Sequence, residues 1–445
     1  MLDILTNPVT LSVIVMCVLC LFKLNVVISL IIAACVAGFT SGMDLSEVFS
    51  YIIGGLNKNG ENALAYLLLG TFAAALADTG LATLLAKKIM GLVKDRKWVM
   101  LASLAIIGCI SGTIIPVHIA YIPILFPSLL STMNHMKMDR RQAACATEFG
   151  LVSMYPAIPI GYGLIFMGII ADNMTENGMP ITIPEIWPNC IILLGGFFVG
   201  LIASCWAFRK PREYQDIAIT ESEDLEQETK MGKDQWVALV AIVAVLFGQL
   251  HFGSMPVGAL FGILVMIIGG AVKLKESDSV LAEGIKIMGM ISFIMLVAGG
   301  YANVVNNTGA VNSLIDASLA ILGNSKPVFV FVLLMIGLLI TLGIGTSFGT
   351  IPIIALFYVP MCMRLGLSAG ACACLIACAA TLGDAGSPAS DSTLGPTAGL
   401  NADGQHDHIW DTCVPTFLFF NIPLFIAGYI GGMILTGNCF FNMQL

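Results

Sequence analysis

Leu382-Gly383-Asp384-Ala385-Gly386-Ser387-Pro388-Ala389-Ser390-Asp391 lies inside an apolar run that extends from 366 to 400. Glycine and proline at this density end a helix, yet both flanks read as membrane-spanning. Interrupted backbone survives in a bilayer only where it lines a cavity or binds something. The stretch therefore predicts an all-α polytopic membrane protein with broken helices at the midplane.

Composition agrees. Of 445 residues, 58% are hydrophobic and 11% charged, with a mean hydropathy of +0.92. A soluble domain carries about 25% charged residues, so this chain could not cover a soluble surface, and disorder is excluded. Apolar spans fall at roughly 8–22, 24–43, 62–86, 98–133, 142–172 and 187–208, then 235–251, 255–272, 284–305, 327–364, 366–400 and 411–436. Between the two sets lies a charged linker, 209–234, with eight acidic and five basic residues. The net charge of −8 and the lack of a basic stripe argue against nucleic acid as a partner; the bilayer is the expected surroundings. The thirteen cysteines sit mostly in apolar runs and read as small hydrophobes rather than zinc ligands or a disulfide framework. The first apolar run lacks the marks of a cleavable signal.

The two sets of spans match each other at one offset. Thr79 and Thr308, Gly80 and Gly309, Pro123 and Pro352, Cys145 and Cys374, and Pro159 and Pro388 are each 229 residues apart. Five identities at one offset, in different segments, predict an internal repeat, with 1–208 and 235–445 as its copies. The units 98–133 and 327–364 are too long for one helix. They are broken at Gly112, Pro116, Pro123 and Pro127, and at Gly343, Gly345, Gly349 and Pro352. Each predicts two helical arms joined at a tip, as a re-entrant hairpin or a pair of short spans. Basic residues at 87–97, at 137–141 and in the linker share the cytoplasmic side if the first unit is a hairpin. Each half then has five transmembrane helices plus a re-entrant hairpin, and the odd count makes these inverted-topology repeats. Lys273, Lys275 and Lys286 also fall inside, whereas Arg364 falls outside, against the rule. The expectation is a multi-pass protein of the cell (inner) membrane with its linker in the cytoplasm.

Paired breaks in inverted repeats meet near the midplane and form substrate and ion sites. The candidate residues are therefore those at the breaks and tips. In 383–393 they are Gly383, Asp384, Ser387, Ser390 and Asp391; the tips offer Ser111, Gly112, Thr113 and His118, and Gly345, Thr346 and Ser347. The Tyr155–Gly161 break reads equally as a site or a proline kink. Ionisable residues at membrane depth are functional candidates by default, which adds Asp78 and Glu148. No Lys or Arg shares their apolar segments, so each holds a proton or binds a cation. Asp78, followed by Thr79, aligns with Asn307 in the repeat, and Asp78 and Asp384 are the candidate sodium ligands. Glu148 aligns with Ala377, and a packed, protonated acid is the alternative there. Tip hydroxyls are read as sodium ligands or as bonds within their own helix, and His118 as a proton shuttle or a donor to a carbonyl. His406 and His408 are read as a solvated loop rather than a metal site, and Asn303, Asn306 and Asn307 as a helix cap facing the cavity.

The stretches Asn59-Gly60-Glu61-Asn62-Ala63-Leu64-Ala65-Tyr66, Ala77-Asp78-Thr79-Gly80-Leu81 and Leu382–Asp391 resemble the sodium/proton antiporter family close to NhaC, in the branch of YuiF-like permeases of the ion transporter superfamily. The resemblance covers nearly the whole chain. It implies an inverted-repeat fold with paired hairpins, often assembled as a homodimer. It also implies sodium/proton exchange, with amino-acid transport, including histidine, associated with the YuiF-like branch. Gly-Thr and Gly-Asp-Ala-Gly-Ser-Pro stand where the dicarboxylate branch has Ser-Asn-Thr signatures, which disfavours a dicarboxylate substrate.

An intramembrane aspartyl protease needs Gly-x-Gly-Asp, but Thr381 stands two residues before Gly383. A channel would need a pore ring built by an oligomer, whereas this repeat is internal. The expectation is a secondary transporter, not an enzyme and without a cofactor, coupled to Na+ or H+. Its cargo is a small cation, or an amino acid in the alternative reading.

Overall fold

The computed structural model describes residues 6–22, 24–57, 60–81, 84, 96–113, 118–217, 231–252, 254–322, 325–344, 347–388 and 390–434, and no strand occurs among them. The helices of the first half are α1 Pro8–Leu21, α2 Val26–Thr40, α3 Leu45–Leu56, α4 Gly60–Asp78, α5 Lys97–Thr113, α6 His118–His135, α7 Arg140–Ser153, α8 Tyr162–Glu176 and α9 Ile183–Ala207. Those of the second are α10 Lys233–Phe252, α11 Met255–Ile268, α12 Ser277–Asn307, α13 Ala310–Leu322, α14 Lys326–Ile344, α15 Ser347–Leu365, α16 Ala369–Thr381 and α17 Asp391–Leu400. The last helix, α18 His408–Ile434, contains two π-helical turns. Ile183–Ala207, Met288–Asn307, Ser347–Leu365 and His408–Ile434 are long and apolar enough to cross a membrane, and many of the others are shorter apolar helices.

Two helices lie outside the expected spans, Leu45–Leu56 and Ala310–Leu322. Leu45–Leu56 is separate from α2, started by a capping box in which Asp44 accepts from the Glu47 amide and Glu47 from the Asp44 amide. Such a box satisfies two backbone donors that the first turn leaves free, so the apolar run ends at Thr40 rather than continuing.

The 229-residue offset reappears in the geometry. Asp78 and Asn307 end their helices, and Lys97 and Lys326 begin theirs. Thr79 Oγ1 donates to Leu76 O at 2.6 Å, and Thr308 Oγ1 to Val305 O at 2.6 Å; Gly80 and Gly309 follow, both at φ 67°. Lys97 Nζ lies 3.4 Å from Lys137 O, and Lys326 Nζ 3.3 Å from Gly366 O. Each of these contacts joins the start of one hairpin arm to the end of the next. The chain thus leaves and returns at the same end of the molecule in both α5–α6 and α14–α15.

The equivalent helices α7 and α16 start at opposite ends. Gln142, at the start of α7, donates to Cys205 O near the end of α9 at 2.7 Å. Gly370, at the start of α16, packs on Asn189 near the beginning of α9. From Asn189 to Cys205 a helix rises about 24 Å. The two helices therefore begin near opposite ends of α9.

Close helix crossings rest on glycine. A Cβ on Gly150 of α7 would come within 2.4 Å of Ala105 O and 2.5 Å of Gly108 Cα in α5. The equivalent crossing of α14 and α16 places Gly337 against Ala379, where an added Cβ would sit 2.4 Å from the Ala379 Cβ.

The α7 end also carries the main ion-pair cluster. Arg140, 0% exposed, forks onto Asp403 at 2.6 and 2.5 Å and donates to Leu400 O at 2.9 Å. Burial opposes ionisation of Asp403, but the Arg140 fork holds its carboxyl below the usual range. Arg212 of the linker reaches Asp411 at 2.7 Å, and Arg141 reaches Asp139 at 2.6 Å. At the other end, where Lys326 also lies, Arg364 pairs with Asp316 at 3.0 Å.

Two outcomes follow for thermal unfolding in detergent. Gly150→Ala should lower Tm, since overpacking against rigid backbone costs about 1–3 kcal/mol, whereas Gly168→Ala, with nothing within 4 Å, should leave Tm unchanged or raise it. Asp403→Ala strands a buried guanidinium and should cost about 3–5 kcal/mol. Arg140→Met combined with Asp403→Leu should recover much of that loss.

Candidate functional site

The chain breaks twice between helices. The first break, Met154–Gly161, closes with Ile158 N donating to Met154 O at 2.9 Å, and Gly161 takes φ 55°. The second runs from Leu382 to Ser390, with Gly383 at φ 84° and Gly386 at φ 90°. Both glycines occupy left-handed backbone that L side chains rarely adopt. Asn421, in a π-helical turn of α18, secures the second break. Its Oδ1 accepts from Gly383 N at 3.1 Å, and its Nδ2 donates to Ala385 O at 2.7 Å. Two of the freed backbone groups are thereby satisfied.

Asp384 sits within this break, 8% exposed. Its Oδ2 accepts from Tyr155 Oη at 3.0 Å and from Ser347 Oγ at 2.5 Å; its Oδ1 accepts from Ser390 Oγ at 2.5 Å. Tyr155 and Ser347 are themselves 2.7 Å apart. Tyr155 comes from the first break, Ser347 from the start of α15, and Ser390 is the N-cap of α17. Three separate parts of the chain thus converge on one carboxylate. Tyr155 and Asp384 are 229 residues apart, so repeat-equivalent positions meet here. The N-terminus of α17 adds a favourable dipole for negative charge.

Glu148, 0% exposed, joins the same network. Ser392 Oγ donates to Glu148 Oε1 at 2.8 Å and lies 2.9 Å from Ser390 Oγ. Aromatic rings close one side: Phe348 packs against Tyr66, Tyr155, Tyr162 and Phe166 at centroid separations of 5.4–5.9 Å.

The other expected residues are distributed as follows. Ser387 is buried beside Asp384, its hydroxyl 3.5 Å from Leu342 O. Gly112 presses on Leu151 O and Gly150 O, so its visible role is close helix packing. Thr113 donates to Cys109 O at 2.5 Å within its own helix and lines a small cavity with Gly161, Tyr162 and Gln249. Ser111 is buried at the end of α5. Gly345 and Thr346 lie outside the described residues, as do the side chains of His118 and Asp391.

Asp78 does not join the cluster around Asp384. It is exposed at the last turn of α4, with Glu276 and Glu283 as electrostatic neighbours. The reason is local: Thr79 and Gly80 cap the helix there. Asn307 is likewise exposed and bonds Asn303 O at 2.7 Å, while Asn303 ties α12 to Tyr51 O at 2.8 Å. The solvated reading is also corrected for His406, whereas His408 is half-buried. His406 is 2% exposed, 2.7 Å from Thr412 Oγ1, and burial pushes its imidazole down to about 4. His408 contacts Thr397 Oγ1 at 2.8 Å and Pro388 O at 3.1 Å. Among the described residues no group of three His, Cys, Asp or Glu could hold a metal ion.

Tyr155, Ser392 and Asn421 were not singled out from sequence as site residues. The repeat offset pointed to Tyr155, and an asparagine inside a long apolar helix is a signal in its own right.

The sequence pattern of the Na+/H+ antiporter family matches residues 146–429, and a second pattern, of the Na+-H+ antiporter family, matches 7–93. YuiF of Bacillus subtilis (strain 168), provisionally named an amino acid transporter, is 44% identical over 444 residues, covering 96% of this chain and 100% of that one. A membrane protein of Vibrio parahaemolyticus is 43% identical over 441 residues, covering 96% and 100%. In fold, the chain is similar to MtrF of Neisseria gonorrhoeae, described as illuminating a class of antimetabolite efflux pumps. The TM-score is 0.58 at 15% identity, over 88% of this chain and 85% of that one. It is likewise similar to the YdaH transporter of Alcanivorax borkumensis, with TM-score 0.57 at 13% identity over 88% of each chain. This chain belongs to the Na+/H+ antiporter family and is a secondary transporter of the membrane, not an enzyme.

Proposed function

We propose that the protein exchanges sodium for protons by alternating access, with Asp384 as the coupling-ion site. The observation that carries this reading is the buried Asp384 carboxylate, surrounded by the hydroxyls of Tyr155, Ser347 and Ser390 at 2.5–3.0 Å. A carboxylate with neutral oxygen donors suits a hard cation, and the same carboxylate holds a proton when the cation leaves. No lysine or arginine occurs between 142 and 208 or beyond 364. Residues 1–208 and 235–445 act as the two inverted halves, and the linker 209–234 lies in the cytoplasm with the Arg140–Asp403 cluster. In this reading the protein resides in the cell (inner) membrane, where a homodimer is its natural assembly.

A second reading, an ion-coupled amino-acid permease, is favoured by the provisional name of YuiF. Asp384 then binds the coupling ion only, and the organic substrate binds elsewhere in the cavity.

Sealed proteoliposomes with a pH-sensitive dye inside distinguish the two. A sodium gradient alone should move protons; silence until an amino acid such as histidine is added would select the permease. Asp384→Asn should reduce coupled transport to the level of empty liposomes while the protein still inserts and runs as a single species on gel filtration. Gradient-driven activity in that variant would reject the site. Tyr155→Phe removes one hydrogen bond to the carboxylate, worth about 1.5–3 kcal/mol. It should shift the apparent sodium affinity by about tenfold or more.

A further inference from the structure

Glu148 and Asp384 lie on different elements, and two serines of one helical turn connect them. Ser392 Oγ is 2.8 Å from Glu148 Oε1, Ser390 Oγ is 2.9 Å from Ser392 Oγ, and Ser390 Oγ is 2.5 Å from Asp384 Oδ1. All four side chains are buried. The hydrogens can be counted. Three oxygen–oxygen contacts need three hydrogens, and two hydroxyls supply two. With both carboxylates ionised, each serine donates to its own carboxylate. The Ser390–Ser392 contact is then left with lone pairs facing each other. One added proton completes the series in either sense.

We propose that Glu148 and Asp384 share a single proton across Ser390 and Ser392. In one form Glu148 is the acid: it donates to Ser392, Ser392 to Ser390, and Ser390 to ionised Asp384. Transfer breaks the Glu148 O–H bond and forms one on Ser392. The Ser392 proton passes to Ser390, and the Ser390 proton to Asp384. The two serines end as they began, one proton has moved, and one negative charge has moved the opposite way. Two carboxylates this close in an apolar interior repel when both are ionised, which the shared proton relieves.

Among the described residues, the titratable groups that face this chain include Tyr155 from the first break, Cys145 on α7 itself and Cys413 on α18. Behind Cys413 stands His408, 3.6 Å from its Sγ. Tyrosine and cysteine are neutral in their ordinary forms at neutral pH, so they leave the count unchanged. The consequence deepens the coupling-site reading and rests on it: a cation arriving at Asp384 displaces the shared proton through Ser390, Ser392 and Glu148 and out of the chain, one proton for each cation bound.

Infrared difference spectroscopy of the full-length protein in liposomes, read at the carbonyl stretch of protonated carboxyl groups at neutral pH, tests the shared proton directly. In Glu148→Gln and in Asp384→Asn an amide hydrogen replaces the missing proton. Each is expected to lose the band of one carboxylic acid, and the double variant no more than either alone. Ser392→Ala cuts the path, so the acid stays at one end and one of the two amide substitutions no longer removes its band. A band that survives in full in either single variant of the otherwise unaltered chain would overturn the proposal, as would a double variant that loses two. The readout requires no transport, so its failure is distinguishable from failure of the exchange reading.

Discussion

A helix interrupted inside a bilayer leaves amide and carbonyl groups that lipid cannot satisfy. At Leu382–Ser390 that constraint is met by Asn421, which accepts from Gly383 N and donates to Ala385 O. Thr393 adds a bond to Ser387 O at 2.6 Å. With these three backbone groups held by neighbouring side chains, the Asp384 carboxylate accepts from Tyr155, Ser347 and Ser390. The left-handed glycines at 383 and 386 fold the chain back tightly enough for Ser390 to cap α17 within 2.5 Å of that carboxylate. The position of the site thus follows from how the break is repaired.

The rest of the architecture brings partners to this point. Hairpin α14–α15 delivers Ser347, and the break after α7 delivers Tyr155, to the same carboxylate oxygen. The α5–α7 crossing through Gly108 and Gly150, and its counterpart through Gly337 and Ala379, let those elements approach closely. Because α7 and α16 start at opposite ends of α9, the network around Asp384 is reached by helices that begin at both ends of the molecule. At one end the Arg140–Asp403 fork binds the loop after α17 to α7, and the Arg212–Asp411 pair binds the first turn of α18 to the linker. That buried fork marks a contact which alternating access would have to rearrange or carry along as a rigid unit.

Much of this was legible in the chain. The broken run at 382–391, the hairpins and the 229-residue offset were all readable, because glycine, proline and charge interrupt apolar periodicity visibly. Carried one step further, the same offset pairs Tyr155 with Asp384, but a tyrosine opposite an aspartate is not an identity and did not register. Asp78 read as an intramembrane acid because the apolar run continues past it; Thr79 and Gly80 end the helix there. Helix α3 falls in the gap between the expected spans 24–43 and 62–86, although Asp44 and Glu47 form a capping box. Arg140 read as a loop charge, since its partner Asp403 is 263 residues away and no local pattern reports such a contact. His406 read as solvated for the same reason: its burial depends on packing that brings distant segments over it.

The central claim is that a coupling cation and a proton compete for Asp384. The most direct measurement is proton release into weakly buffered detergent solution when sodium is added to the purified protein. The account predicts release of about one proton per sodium bound, abolished in Asp384→Asn. Sodium binding without proton release, or unchanged release in that variant, would contradict it.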